Sequence, residues 1–135
     1  MFRFERAVRF SEVDMARVVF FPNFAAYCHE ALEALFAALP GGYAALVREA
    51  DVGIPTVHFE VDFKAPLAYG DTAWIDVVVE RLGRSSVGLR YTFRRAGQEP
   101  ICAIARHTIV TASMSEFTTV PVPAHLRALL DQHRD

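Results

Sequence analysis

The chain has 135 residues, 53% hydrophobic and 22% charged, with a formal net charge of −2. That length and composition describe one domain, residues 1–135, able to bury a core without disulfides or metals, and they exclude a disordered chain. The slight negative charge gives no electrostatic case for nucleic acid or an anionic membrane as partner.

Arginine carries nearly all the positive charge, since Lys64 is the only lysine. Arginine suits phosphate contacts, although a biased genome would give the same count. Cys28 and Cys102 are too few for a disulfide framework or a zinc site, and both sit in apolar runs that predict buried, reduced thiols. The five histidines have no metal-ligand spacing, so no metal is expected. The N-terminal MFRFERAVRF is unlike a signal peptide, and no run reaches transmembrane length. The expected compartment is the cytoplasm.

In chain order, residues 2–10 alternate as a strand. Residues 22–39 read as the main helix. Phe24, Cys28, Ala31, Leu32, Leu35 and Leu39 recur at helical spacing, with Glu30 and Glu33 to one side. Pro22 suits its first turn and Pro40-Gly41-Gly42 its end. Residues 43–50 predict a second, short helix. From residue 54 the period becomes two: Val57, Phe59, Val61 and Phe63 alternate with His58, Glu60, Asp62 and Lys64. Tyr69-Gly70-Asp71, Gly83 to Ser85 and Gly97 to Pro100 mark turns between strands at 73–81, 86–93 and 101–113. A short amphipathic helix follows at 124–132. Short turns imply antiparallel neighbours, and one antiparallel sheet packed on one long helix is an α+β domain. An apolar sheet with open edges also predicts a homo-oligomer.

Asp14 interrupts an otherwise apolar stretch, FSEVDMARVVFFPNF, just before the main helix. A helix N-terminus presents unpaired N–H groups and partial positive charge. Those groups can polarise a carbonyl while a nearby carboxylate attacks it or activates water. Two structural readings stand beside this one: Asp14 as a turn residue, or as the cap of a helix beginning at Met15.

The element order, with this aspartate before the helix, resembles the hotdog-fold acyl-CoA thioesterases, in particular the 4-hydroxybenzoyl-CoA thioesterase family. The resemblance covers roughly residues 5 to 125 and is carried by three segments. The first is Phe10, Asp14, Val18-Val19-Phe20-Phe21, Pro22-Asn23 and Phe24. The second runs from Gly53-Ile54-Pro55 to Ala65-Pro66-Leu67 and Tyr69-Gly70-Asp71. The third is Leu82-Gly83-Arg84-Ser85-Ser86. The resemblance implies a five-stranded antiparallel sheet wrapped around one long central helix. It implies hydrolysis of an acyl-CoA to free acid and CoA, aromatic or aliphatic, with no cofactor beyond the CoA of the substrate. Asp14 would be the catalytic nucleophile or general base. The Phe21 backbone N–H would polarise the thioester carbonyl, and Arg84 and Ser85 would meet the CoA phosphates. Subunits would pair as a homodimer or homotetramer, with sites between them. The family usually has Gly three residues after the Asp, where this chain has Arg17.

Other residues are also candidates. Glu30 on the main helix is an alternative catalytic carboxylate, set against a polar residue at an interface or exposed face. His29 lies beside it. His58 reads as an ordinary residue on the polar side of its strand, and His107 as a hydrogen-bonded core histidine. Two other functions remain: a hotdog enoyl-CoA hydratase or dehydratase, and a non-catalytic acyl-CoA-binding protein. The first pairs its Asp with a His a few residues later, where this chain has Val18, Val19 and Phe20. The second would usually carry a DNA-binding helix pair, for which there is no spare length. No nucleophile elbow or Gly-rich phosphate loop is present.

Overall fold

A computed structural model describes residues 1–135. Strand β1 (Phe2–Ala7) leads through a 3-10 turn (Phe10–Glu12) to helices α1 (Asn23–Phe36) and α2 (Gly42–Arg48). Strands β2 (Val52–Gly53), β3 (Thr56–Phe63), β4 (Thr72–Leu82), β5 (Ser86–Arg95), β6 (Ile101–Val110) and β7 (Ala112–Ser113) follow, then helix α3 (Ala124–Asp131). Five strands form one antiparallel sheet in the order β1-β4-β5-β6-β3, and β2 pairs with β7 separately. No helix is long and apolar enough to cross a membrane.

The strand periodicity explains the core. Ala73, Ile75, Val77 and Val79 of β4 and Val87, Leu89, Tyr91 and Phe93 of β5 point to one face and are essentially inaccessible. Helix α1 lays Phe24, Tyr27, Cys28, Ala31, Leu32, Leu35 and Phe36 into the same core. Phe24 meets the rings of Phe63 and Phe93 with centroids 5.1 and 5.2 Å apart. The opposite sheet face is polar where β1 crosses β4: Arg3 clamps Asp76 at 2.7 and 2.8 Å and lies over the Trp74 ring. Cys28 and Cys102 are buried and unbonded, and burial pushes the Cys28 thiol up.

The expectation of one long central helix is met in part. There are three helices, and α1, with 14 residues, is the longest. Several predicted bounds also change. The first strand ends at Ala7 rather than residue 10, because the Glu12 carboxylate takes the Arg9 N–H at 2.8 Å and draws the chain into the 3-10 turn. The helix predicted to 39 ends at Phe36. Two tighter turns follow before Gly41 and Gly42 adopt positive φ. The strand predicted over 101–113 breaks at Thr111, whose buried hydroxyl donates to the Val120 carbonyl at 2.6 Å and whose N–H bonds the Ser85 carbonyl. The apolar side of β3 is only partly covered, with Val57 59% and Phe63 53% exposed, because β3 is an edge strand.

Candidate active site

Asp14 lies in the loop between the 3-10 turn and α1. Its Oδ1 accepts the Ala16 N–H at 2.8 Å, and its carbonyl accepts the Arg17 N–H at 2.9 Å. No helix begins at Met15, so the helix-cap reading is wrong, while the turn reading holds. The carboxylate remains exposed and lines an open groove of about 910 Å³ with Phe10, Val13, Met15, Arg17, Ala68 and Tyr69. The rings of Phe10 and Tyr69 meet edge to face, 5.6 Å between centroids. Gly70 makes the following turn possible at φ 97°.

The loop is tied down on both sides. The Val19 N–H bonds the Leu67 carbonyl at 2.8 Å, and Val18 bridges Ala68. The Glu12 carbonyl accepts both the Phe20 N–H and the Asn23 Nδ2 at 2.9 Å. Phe21 and Pro22 then enter α1. The Phe21 N–H donates to no group within the chain. Phe21 lines a second, smaller groove of about 320 Å³ with Phe24, Phe63 and the Lys64–Leu67 segment. Asp14 and Phe21 therefore flank one short segment but face different grooves of the single chain.

A partly buried ion cluster centred on Arg6 supports this segment, and sequence reasoning did not anticipate it. Arg6 bonds Glu30 through Nε at 2.9 Å, bonds Glu12 through two nitrogens, and stacks on the Tyr27 ring. The Tyr27 hydroxyl donates to Glu12 at 2.8 Å. Burial alone would raise the Glu12 carboxyl. Hydrogen bonds from Arg6, the Arg9 N–H and Tyr27, with the Arg6 charge, outweigh it and hold the group below the usual carboxylate range. The signal was present in the pattern of β1: Arg6 continues the inward face of Phe2 and Phe4, and an inward arginine needs carboxylate partners.

Arg84 and Ser85 form the β4–β5 turn. The Arg84 side chain is exposed, and its carbonyl accepts the Val122 N–H at 2.8 Å. The Ser85 carbonyl accepts the Thr111 N–H at 2.8 Å, and Arg127 reaches the Gly83 carbonyl at 2.6 Å. This turn is not near Asp14 of the same chain. The 11 residues of β4 separate them, about 36 Å of extended strand. His107 lies on the core side of β6, between the Tyr91 hydroxyl at 3.0 Å and the Thr56 hydroxyl at 2.7 Å. It is a hydrogen-bonded core histidine. His58 is exposed, with only Glu60 at 3.6 Å. No cluster of His, Cys, Asp and Glu is arranged to hold a metal ion.

Residues 8–130 match the model of the thioesterase-like superfamily. The chain belongs to that superfamily. Its relatives include the 1,4-dihydroxy-2-naphthoyl-CoA hydrolase of Nostoc punctiforme, 32% identical over 89% of this chain and 81% of that one. The enzyme of the same name from Synechococcus elongatus is 30% identical over 89% of each chain. Among solved structures, a 1,4-dihydroxy-2-naphthoyl-CoA thioesterase from Synechocystis superposes with a TM-score of 0.88 at 25% identity, covering 96% of this chain and 95% of that one. A gentisyl-coenzyme A thioesterase gives 0.82 at 26% identity, covering 93% and 98%. This thioesterase is thus a hydrolase of CoA thioesters.

Proposed function

We propose that this thioesterase hydrolyses the CoA thioester of a hydroxylated aromatic acid, with Asp14 as nucleophile or general base. The observation that carries the reading is the loop itself: an exposed carboxylate stands one short segment before a helix N-terminus whose Phe21 N–H has no partner. In this reading one substrate spans the two grooves, which adjoin where Val18 bridges Ala68: the thioester carbonyl at their junction accepts the Phe21 N–H, and the helix end stabilises the negative charge that builds on its oxygen. Asp14 either attacks the carbonyl carbon to form a mixed anhydride, expelling CoA thiolate, or removes a proton from the attacking water. The exposed aromatic rings along the Asp14 groove suit an aromatic acyl group, and the 1,4-dihydroxy-2-naphthoyl-CoA hydrolase and gentisyl-coenzyme A thioesterase it resembles are named for acyl groups of that kind.

The complete site is a dimer in this reading. The free edge of β3 pairs antiparallel with β3 of a second copy, covering Val57 and Phe63 and joining two sheets into one. Helix α1 then lies as the central helix of a hotdog fold. A twofold at that edge sets the Phe63 end of β3 beside the partner subunit's Thr56 end. Since Thr56 pairs with Ile109 and Ser86 with Val110, the partner subunit's Arg84 and Ser85 come to the end of the sheet that carries Asp14. There they meet the CoA phosphates. No cofactor or metal takes part.

Free thiol release from benzoyl, 1,4-dihydroxy-2-naphthoyl, 2,5-dihydroxybenzoyl, phenylacetyl and fatty acyl thioesters of CoA tests the reading. Highest kcat/KM on the hydroxylated aromatic thioesters is expected. Faster hydrolysis of the fatty acyl series would overturn the substrate class.

A further inference from the structure

Arg17 is out of place by backbone rules. Its φ is +68°, a left-handed conformation that glycine adopts freely and a residue with a Cβ adopts only at a cost; Asp51 and Phe117 are the other two non-glycine residues here that do so. A residue kept in such a conformation points to a role for its side chain. That side chain lines the same groove as Asp14, Phe10 and Tyr69. Its charge is unclaimed within the chain. Glu12 and Glu30 are held by Arg6, and Asp14 turns Oδ1 to the Ala16 N–H. The groove therefore combines a free guanidinium with two large exposed rings, Phe10 at 75% and Tyr69 at 62%. Exposed aromatic surface in a groove marks a binding wall, and a guanidinium recognises a carboxylate or a phenolate oxygen through paired N–H donors.

We infer that Arg17 is a specificity-determining residue that selects acyl groups with an aromatic body and an anionic oxygen substituent. The inference rests on the Asp14 groove being the acyl site. The contact is to the acyl group and not to the nucleotide of CoA, because Arg17 lies only three residues from Asp14, beside the reacting carbonyl.

The test compares benzoyl with 3- and 4-carboxybenzoyl groups, each carried on CoA and on pantetheine, which lacks the nucleotide phosphates. Arg17→Gly suits the local backbone and so folds; Arg17→Lys keeps the charge. The wild type is expected to prefer a carboxybenzoyl group on either carrier. Arg17→Gly should lower kcat/KM for it about tenfold or more while leaving benzoyl within about twofold, the effect of one charge-assisted contact. Arg17→Lys should retain most of the preference. Equal losses on benzoyl and carboxybenzoyl would overturn the inference in favour of a turn-shaping role. A loss confined to the CoA carrier would overturn it in favour of a phosphate contact. Calorimetric binding of the corresponding non-hydrolysable thioethers separates this inference from the catalytic reading. If no thioester is cleaved but the carboxybenzoyl thioether binds more tightly to wild type than to Arg17→Gly, the hydrolytic site is wrong and the selectivity stands. Equal binding to both proteins ends the inference.

Discussion

Arg6 on strand β1 bonds Glu30 on helix α1 at 2.9 Å while the same guanidinium holds Glu12, so one buried cation joins the sheet, the loop before Asp14 and the helix. Glu30 is therefore a partner in a structural cluster. Arg6→Leu removes the cation and strands the Glu12 carboxylate in partial burial, which should cost about 3 kcal/mol in urea unfolding. Glu30→Gln should cost under about 1 kcal/mol, since its side chain is 37% exposed and solvent screens the pair. A larger loss of turnover than of stability in Glu30→Gln would return Glu30 to the catalytic carboxylates.

Asp14→Asn is nearly isosteric and keeps an oxygen for the Ala16 N–H. Thermal unfolding should be unchanged within about 2 °C. Thiol release should fall about 100-fold or more, the range for a lost general base or nucleophile. Activity close to wild type would remove Asp14 from the mechanism.

Arg84→Ala should raise KM for CoA thioesters about fivefold without changing kcat, because a contact remote from the carbonyl binds ground and transition states alike. The effect should shrink at high salt and vanish on pantetheine thioesters. Equal effects on both carriers would make Arg84 a turn residue only.

Light scattering at micromolar concentration should give a dimer or a multiple of it. Val57→Lys combined with Phe63→Lys places charges along the open β3 edge and should yield a folded monomer with little thiol-release activity. A fully active monomer would move the site off the interface.

His107 predicts an acid limb in stability. Burial, with the nearby His29 charge, depresses its pKa from 6.5 to about 4. The unfolded chain then binds more protons than the folded one between those values. Stability present above pH 6.5 is lost progressively as the pH falls towards 4, on the order of 3 kcal/mol in all. Urea midpoints at pH 7.5 and 4.5 should differ less in His107→Gln than in wild type. An unchanged difference would assign the acid limb to other groups.

Much of the fold was legible in the chain. Period two in 57–64 and 86–93 and period 3.6 in 24–35 follow directly from which face each side chain takes, so strands, main helix and α+β class could be read from residue order. The proposed roles of Asp14, Phe21 and the 83–86 turn rest on local pattern and resemblance. Tertiary structure decided what depends on partners distant in sequence. Arg6 is 24 residues from Glu30, so no local pattern pairs them. Thr111 ends β6 by bonding Val120 and Ser85, contacts that periodicity cannot register. The spread of the candidate site is equally non-local: an 11-residue strand carries Arg84 away from Asp14. The groove that gathers Phe10, Arg17 and Tyr69 around Asp14 forms where Val18 bridges Ala68 and Val19 bonds Leu67, about 50 residues on in sequence.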